Sequence, residues 1–423
     1  MRVLLVGGGG REHALAWKLR QSPHCHALYA APGNAGIAQI AECVPINPKA
    51  IPELVQFARQ HAIDLVVVGP ESPLIAGLAD ALQEAGIPCF GPTRAAAQLE
   101  GSKAFAKQVM AQVNAPTAPF AVFEDADAAR AYLRERFATQ PCVVKADGEA
   151  LGKGVFVCDT LGDALDAVEF LMEHEGLGAA GKHIVIEDRL QGRELSLLCL
   201  TDGERALPMP PVRDYKRALD GNRGPNTGGM GCYTPLPDAT PALIETALQT
   251  IVSPVIQAMA QRGTPYRGVL YAGLMVQDEQ PYTLEFNCRF GDPETQALMP
   301  LLQDDLLTLA YRAATGALED GSLVFEARAA VCVVLASGGY PGEYRAGLPI
   351  EGLDAAAQTP NTLIFHAGTR AENGRILTSG GRVLNIVGLG DTLETARQNA
   401  YRAVEQIHFE GMHYRRDIGE SVL

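Results

Sequence analysis

The first hundred residues alternate short apolar runs with helical patterns. The apolar runs cover residues 3–6, 27–31, 65–69 and 88–91. This alternation predicts a parallel α/β sheet. Ligands of such sheets bind beyond the carboxyl ends of the strands, where three polar or glycine-rich segments fall, at residues 7–10, 32–36 and 69–72. We therefore expect a ligand site at that edge.

Length and charge restrict the remaining possibilities. A chain of 423 residues exceeds one core, so three or four subdomains are expected. The net charge of −14 argues against nucleic acid or an anionic membrane as a partner, and an anionic substrate must find a local positive site. The nine cysteines follow no zinc pattern and predict reduced thiols in a cytoplasmic protein. Neither a signal peptide nor an apolar run of about 20 residues is evident.

The segment 284–294 predicts a strand with one polar face. Side chains alternate along a strand, so one face would carry Glu285, Asn287 and Arg289. The other face would carry Leu284, Phe286 and Cys288. Two hard oxygen donors suit a Mg²⁺ ion that keeps its other positions for water and phosphates, and the arginine would hold an anion. A simple capped turn at residues 291–293 is the alternative.

The glycine run at residues 7–10 follows a strand and precedes a helix. The dinucleotide fingerprint fails, because its third glycine would fall at Glu12 and the second strand ends without the ribose-binding acid. A nicotinamide oxidoreductase is therefore disfavoured. The remaining feature, a run of backbone N–H groups at a helix start, suits a single phosphate. A tight turn alone is the alternative.

Three further segments predict nucleotide or substrate contacts. Lys145 and the loop through Lys153, rich in glycine, suggest a lid over polyphosphate, or else solvated lysines on a mobile hairpin. The segment 183–190 resembles a strand edge that pairs with adenine, and Glu194 would accept ribose hydroxyls. The stretch from Asp214 to residue 231 predicts an unusually long loop over the reacting centre, with a carboxylate for a substrate ammonium.

Taken in order, these motifs resemble the phosphoribosylamine–glycine ligase family of the ATP-grasp superfamily. The matching segments cover essentially the whole chain, at residues 9–14, 31–36, 68–71, 101–103, 224–231, 285–294, 338–342, 366–369 and 380–384. The resemblance implies an α/β and α+β multidomain fold. Its parts would be an N-terminal parallel α/β pre-ATP-grasp domain, a two-part ATP-grasp module and a small C-terminal α+β domain. The implied boundaries are 1–102 for the first, 103–113 with 189–326 for the main ATP-grasp part, 114–188 for the lid, and 327–423 for the last.

The resemblance also implies a reaction. ATP, glycine and 5-phospho-β-D-ribosylamine would give glycinamide ribonucleotide, ADP and phosphate through glycyl phosphate, in de novo purine synthesis. The cofactor would be Mg²⁺ or Mn²⁺, the partners would be these small molecules, and the protein would be a cytoplasmic monomer. Two rivals stay open: another ATP-grasp carboxylate–amine ligase or carboxylase, and a non-catalytic nucleotide-binding protein.

The family's site residues carry over by position. The ATP phosphates would be held by Lys103, Lys145 and Lys153, and the adenosine by Glu187, Leu190 and Glu194. The metal would be held by Glu285 and Asn287. Glycine would be oriented by Asp214 and Arg289, which with Lys145 form the catalytic set. The substrate site would also include Gly9, Gly10, Asn34, Gly36, Glu71, Gly228 and Gly229.

Three departures from the family pattern stand out. Glu149 places a carboxylate in the loop meant for phosphates, and Tyr215 replaces a usual histidine. Strand 271–275 lacks the acid that other ATP-grasp enzymes keep as a third metal ligand. None of these removes a residue of the implied site, so activity is expected.

Overall fold

The structure is a computed structural model that describes residues 1–148, 154–174 and 181–420. Its N-terminal part is a five-stranded sheet in the order β3-β2-β1-β4-β5, with every pair parallel, which confirms the prediction. The strands are β1 (Arg2–Gly7), β2 (Ala27–Pro32), β3 (Glu42–Cys43), β4 (Leu65–Val68) and β5 (Cys89–Phe90). The helices are α1 (Gly10–Arg20), α2 (Ile51–Gln60), α3 (Glu71–Ile75), α4 (Leu78–Glu84) and α5 (Arg94–Gly101). The strand order reverses beside β1, where crevices form in such sheets.

The next part is a small antiparallel sheet with its own core. Helix α6 (Lys103–Gln112) leads into β6 (Phe120–Phe123), α7 (Ala126–Arg136), β7 (Cys142–Ala146), β8 (Val155–Cys158), α8 (Leu161–Val168), a π-helical turn (Glu169–Glu173) and β9 (Ile184–Asp188). The core contains Leu133, Phe137 and Val144 and is separate from the two larger ones. The strand order is β6-β9-β7-β8. The prediction that residues 183–190 form an edge is therefore wrong for β9, because strands pair with it on both sides.

A larger antiparallel region follows. Its strands are β10 (Arg193–Asp202), β11 (Ala206–Pro208), β12 (Arg213–Asp214), β13 (Arg217–Leu219), β14 (Arg223–Asn226), β15 (Gly231–Thr234), β16 (Arg267–Gln277) and β17 (Gln280–Asn287). Its helices are α9 (Pro241–Ala247), α10 (Ser253–Gln261), α11 (Glu294–Leu298) and α12 (Leu306–Thr315), and a π-helical turn (Leu248–Val252) joins the first two. The main sheet has the order β11-β10-β16-β17. The stretch predicted as one long loop is partly the hairpin β13–β14, so that prediction is corrected.

The C-terminal strands complete a sheet that begins in the preceding region. They are β18 (Ala329–Ala336), β19 (Thr362–His366), β20 (Thr369–Glu372), β21 (Arg375–Thr378) and β22 (Arg382–Gly390), with helices α13 (Leu353–Ala357) and α14 (Leu393–Val404). The sheet order is β12-β15-β18-β22-β19. Because β12 contains Asp214, the C-terminal strands support the segment that carries this carboxylate.

One helical stretch, Pro241–Gln261, has the length and composition of a candidate membrane span. The sequence alone had not predicted this stretch as an apolar run of that length. Its apolar residues pack into the core, where Leu243, Ile251 and Val255 are buried. Since a core helix meets the same criterion, the stretch is weak evidence for a membrane.

Candidate active site

The three predicted polar side chains lie at the end of β17, with Arg289 two residues beyond the strand. Glu285, Asn287 and Arg289 are partly exposed, whereas Phe286 and Cys288 are buried, as alternation predicts. Leu284 does not follow the pattern, because the pairing with β16 shifts register there and leaves it without an opposite residue. It is partly exposed, and its carbonyl accepts a hydrogen bond from Lys145 Nζ at 3.0 Å. The bulge therefore turns Leu284 from the predicted core face and brings a lysine to the strand.

Four cationic side chains surround Glu285. Burial would raise the pKa of its carboxyl, but Lys216, Lys145, Lys103 and Arg289 outweigh burial and lower it. Gly273 lies opposite Glu285 on β16, within the stretch 271–275 that lacks an acidic third metal ligand. A Cβ atom at Gly273 would lie 3.3 Å from Glu285 Cγ. Several positive charges therefore act on one carboxylate in a chain whose net charge is −14.

Glu187 holds two lysines together beneath the site. Its Oε1 atom pairs with Lys145, and its Oε2 atom lies 2.5 Å from Lys107 Nζ. The side chain is 3% exposed; burial would raise its pKa, but the two ammonium groups lower it. Glu187 was predicted to hold adenosine, yet here its carboxylate positions Lys145. Lys107 was not predicted, although its spacing of four residues from Lys103 places both on one face of α6.

The lid loop is tied to the start of α6. Asp147 Oδ1 accepts hydrogen bonds from Ala104 N at 2.6 Å and Ser102 Oγ at 3.0 Å. Burial lowers the pKa of Lys103, and Glu285 partly offsets this effect. These contacts connect the loop after β7 with the helix that carries the first predicted phosphate lysine. Lys153 and Glu149 lie outside the described residues.

Lys216 and Tyr215 point to opposite sides of their segment. Lys216 Nζ donates to Glu194 Oε2 at 3.1 Å, which brings the predicted ribose acceptor next to the site. The Tyr215 hydroxyl accepts a hydrogen bond from Gly419 N at 3.2 Å, away from Glu285. The Tyr215 side chain, at a position where histidine is usual, therefore faces the C-terminal segment. Leu190 lies between β9 and β10 and is partly exposed.

Asp214 presents a buried oxygen atom, Oδ1, that has no hydrogen-bond partner among the described residues. Burial and Glu294 raise the pKa of this carboxyl, and Lys216 and Arg382 oppose them. Gly229 lies against it, since a Cβ atom there would be 2.8 Å from Asp214 Oδ1. Unsatisfied buried polar atoms are rare, and this one suits a positively charged group from a ligand.

A buried network lies behind Asp214. Glu294 Oε1 accepts hydrogen bonds from the Tyr271 hydroxyl at 2.9 Å and from Ser196 Oγ at 3.2 Å. The hydroxyl groups of Ser196 and Tyr271 are themselves 2.6 Å apart. These three residues lie on different elements, and sequence patterns did not indicate them.

Arg289 is held by carboxylates of the N-terminal region. Its Nε donates to Glu71 Oε2 at 3.0 Å, and its Nη2 donates to Glu100 Oε1 at 3.4 Å and Asn287 Oδ1 at 3.2 Å. Burial would raise the pKa of Glu71, but Arg289 and Arg11 lower it to about 2. The guanidinium is therefore largely engaged within the protein and also orients a predicted metal ligand.

The N-terminal glycine loop encloses a carboxylate of its own chain. Gly9 N donates to Glu12 Oε2 at 2.6 Å, and a Cβ atom at Gly69 would lie 1.9 Å from Glu12 Oε1. This amide is thus not free for the phosphate that the glycine run suggested. Gly10 packs against the C-terminal region, where a Cβ atom would be 2.1 Å from Asn385 Nδ2.

The Asn34 side chain joins the N-terminal and C-terminal regions. Its Nδ2 donates to Gly8 O at 2.9 Å and His366 O at 2.8 Å, and its Oδ1 accepts from Gly36 N and Ile37 N. The amide group therefore braces the edge of the crevice. Its placement agrees with the predicted substrate edge, although its hydrogen-bonding groups are already in use.

The glycine-rich segment 224–231 is held by Arg382, a residue that was not among the predicted site residues. Arg382 Nη1 donates to Gly228 O at 2.6 Å and Asp292 O at 2.8 Å, and it lies 3.4 Å from Gly229 O. Gly228 N donates to the Tyr340 hydroxyl at 3.0 Å. The C-terminal region therefore fixes the loop next to Asp214.

The chemistry of the donors fits a hard divalent cation. Glu285 and Asn287 provide two oxygen donors on one face. The described part of the chain has no cluster of three or more histidine, cysteine, aspartate or glutamate side chains arranged for a metal. The nine cysteines are free thiols, and seven are buried. A metal at Glu285 would therefore take its other ligands from water and phosphates.

Comparison with known proteins identifies the family. Models of the N domain, the ATP-grasp (A) domain and the C domain of phosphoribosylglycinamide synthetase match residues 1–100, 101–295 and 330–421. The chain belongs to the phosphoribosylglycinamide synthetase family. A phosphoribosylamine–glycine ligase from Rhizobium meliloti is 50% identical over 420 residues, which cover 99% of this chain and 98% of the relative. The resemblance seen in the sequence is thereby confirmed.

Solved structures agree with this family. The crystal structure of phosphoribosylamine–glycine ligase from Thermotoga maritima has a TM-score of 0.87 and 34% identity, and the match covers 99% of this chain and 100% of that one. A biotin carboxylase complex from Campylobacter jejuni has a TM-score of 0.73 at 15% identity, over 98% of this chain and 93% of that one, and it shares the fold alone. Phosphoribosylglycinamide synthetases are ATP-dependent ligases with an ATP-grasp domain.

Two buried histidines connect α1 with β19 near the predicted substrate edge. His366 N donates to His13 Nδ1 at 2.8 Å, and His366 Nδ1 lies 3.0 Å from Thr369 Oγ1. Burial lowers the pKa of His13 to about 3, with His366 contributing, and it lowers the pKa of His366 to about 4. Gly36 lies between them, since a Cβ atom there would be 2.3 Å from His13 Cε1.

These histidines predict a pH dependence of stability. In the unfolded chain they bind protons near pH 6.5, whereas in the folded chain they do so only near pH 3 to 4. Between these limits the unfolded state binds more protons, so acidification favours unfolding. Each histidine contributes a slope of about 1.4 kcal/mol per pH unit. Denaturant unfolding between pH 6 and 4.5 should show a shallower slope for His13→Asn than for the wild type. An unchanged slope in His13→Asn would contradict the assignment; removal of the exposed His24 imidazole, as His24→Asn, is the control.

Proposed function

We propose that the chain ligates glycine to 5-phospho-D-ribosylamine, with ATP giving ADP and phosphate, in purine biosynthesis. One observation supports this most directly: four cations act on Glu285, and one of them, Lys216, also acts on Asp214, which has an unpartnered buried oxygen. The first feature suits a nucleotide triphosphate and the second suits an ammonium group. The relatives named as phosphoribosylamine–glycine ligases support the choice of substrates.

The proposed ATP site lies between the lid and the β17 face. Lys103, Lys145 and Lys153 neutralise the phosphates, and Glu187 keeps Lys145 in place. The adenosine lies near Leu190 and Glu194, beyond the end of β9. Glu285 and Asn287 hold Mg²⁺ or Mn²⁺, which when bound neutralises charge on the phosphates. Catalysis then depends on positioning and charge more than on a protein nucleophile.

The proposed glycine site uses Asp214 for the ammonium group. The glycine carboxylate attacks the γ-phosphorus of ATP, ADP leaves, and glycyl phosphate forms. Arg289 contributes positive charge and orients Asn287, while Gly228 and Gly229 leave room beside Asp214. Closing the lid keeps water from this hydrolysable intermediate.

The phosphoribosylamine site is proposed at the crevice formed by Gly9, Gly10, Asn34, Gly36 and Glu71. The amine attacks the carbonyl carbon of glycyl phosphate. Phosphate leaves with the electron pair of the broken C–O bond, and the nitrogen loses a proton. The same proposal includes the domain boundaries at residues 102, 113, 188 and 326. It also includes a monomeric state, a cytoplasmic location and the absence of nucleic acid or membrane partners.

Substrate dependence tests the proposed reaction. ADP release, measured in a coupled assay with each substrate omitted in turn, should require glycine and freshly generated phosphoribosylamine together, because the acyl phosphate is held until the amine arrives. Full turnover with formate or bicarbonate in place of glycine would indicate another ATP-grasp ligase or carboxylase. Binding of ATP without glycine-dependent turnover would indicate a non-catalytic protein.

Replacement of Glu285 tests the metal site. Glu285→Gln should raise the Mg²⁺ concentration needed for half-maximal activity by at least about tenfold, since loss of even an outer partner of a metal site commonly costs about 10–100-fold. The unfolding midpoint should change little. Glu279→Gln, which alters an exposed carboxylate on the same hairpin, is the control and should behave as wild type. An unchanged rate of Glu285→Gln at limiting Mg²⁺ would remove Glu285 from the metal site.

A further inference from the structure

The C-terminal segment 413–419, here called the strap, lies against the hairpin β13–β14. Its Arg415 is fully buried. Arg415 Nη1 donates to Arg217 O at 3.1 Å and to Asn222 Oδ1 at 3.0 Å, so one guanidinium contacts a hairpin strand and the hairpin turn. His413 Nε2 lies 2.7 Å from Ala218 O and adds a third connection.

Asp417 fixes Arg415 in this orientation. Arg415 Nε donates to Asp417 Oδ1 at 2.7 Å, and Nη2 donates to Oδ2 at 2.5 Å, a two-bond pairing that also sets the plane of the guanidinium. Asp417 Oδ2 also accepts from Gly221 N at 2.9 Å, and Arg416 N donates to Asp220 Oδ1 at 2.8 Å. The strap therefore holds the hairpin turn by side-chain and backbone contacts.

The same strap holds Tyr215. The Arg415 guanidinium carbon lies 4.6 Å from the centre of the Tyr215 ring, and the Tyr215 hydroxyl accepts from Gly419 N. Tyr215 lies between Asp214 and Lys216, and neighbouring side chains of an extended segment point to opposite sides. Fixing the tyrosine on the strap side therefore directs the carboxylate and the ammonium group toward the site.

The arrangement continues into the glycine-rich segment. The Lys216 carbonyl accepts from Thr227 N at 2.8 Å and Thr227 Oγ1 at 2.9 Å, and Gly229 N donates to Thr227 Oγ1 at 3.0 Å. A shift of the hairpin would thus move Asp214 and Gly229 together. Asp214 Oδ1 has no hydrogen-bond partner in the described protein, so its position depends on the backbone that carries it.

We propose that Arg415, oriented by Asp417 and stacked on Tyr215, is a positioning residue for the glycine site. It is fully buried and acts through the segment 214–229 rather than by touching a substrate. Lysine cannot replace it, because a single ammonium group cannot reproduce the planar pairing with Asp417 together with the two hairpin bonds. This proposal rests on the proposed function.

The test compares substrate KM values in Arg415→Lys and Tyr215→Ala. Both variants should raise the KM for glycine by about tenfold or more, as expected when roughly 1.4 kcal/mol of binding is lost. The KM for phosphoribosylamine should stay within twofold, because its proposed site near Asn34 and Glu71 does not touch the strap. Tyr215→Phe keeps the ring below Arg415 but loses the hydrogen bond from Gly419 N, so its glycine KM should lie between those of the wild type and Tyr215→Ala.

Arg267→Lys is the matched control, since Arg267 also donates to two backbone carbonyls, of Asp202 and Ala314, but away from the strap. A glycine KM within twofold of wild type in folded Arg415→Lys and Tyr215→Ala overturns the proposal. Equal increases of all KM values, or failure of both variants to fold, also overturn it, because Arg415 would then serve general stability.

Hydrogen exchange separates this proposal from the proposed function. Arg415→Lys should speed exchange in residues 214–231 and leave residues 27–40 unchanged, whether or not glycine is the substrate. If the wild type shows no glycine-dependent ADP release, the proposed function fails, and exchange alone decides whether the strap orders this segment. Unchanged exchange in residues 214–231 contradicts the positioning role.

Discussion

The ion pairs of Arg289 with Glu71 and Glu100 connect the end of β17 to the N-terminal region. Removal of one partner from a largely buried pair leaves an uncompensated charge and commonly costs about 3–5 kcal/mol. The residues that follow contact the other regions: Phe290 O accepts from Arg11, and Asp292 pairs with Arg382. The polar face of β17 therefore has its geometry only when the three regions are packed together.

The charged side chains at the site explain how an acidic protein can bind an anionic nucleotide. Two of the lysines near the site have a carboxylate that fixes their position: Glu187 pairs with Lys145, and Glu194 pairs with Lys216. At Glu285, four cations outweigh burial and lower the pKa of the carboxyl. The metal and the phosphates would then complete a site whose charges are already oriented.

Local patterns in the sequence predicted a large part of this arrangement. The alternation of side chains placed Glu285, Asn287 and Arg289 on one face, and the strand–helix alternation predicted the parallel sheet. The bulge at Leu284 and the interior position of β9 were missed, because register and strand neighbours are tertiary properties. Contacts such as Arg289 with Glu71, 218 residues apart, and Asn34 with His366, 332 residues apart, leave no periodic trace in a single sequence. The glycine run suggested a phosphate, but the Glu12 carboxylate, three residues along the chain from Gly9, takes that position.

We propose that the glycine carboxylate is phosphorylated where these regions meet. The most direct test of this proposal uses glycine with both carboxylate oxygens labelled with ¹⁸O and follows the label by mass spectrometry of the products. If glycyl phosphate forms, we expect one ¹⁸O atom in each inorganic phosphate and one in the amide of glycinamide ribonucleotide, since the C–O bond of the acyl phosphate breaks. Inorganic phosphate without ¹⁸O, formed at the same rate as product, would contradict it.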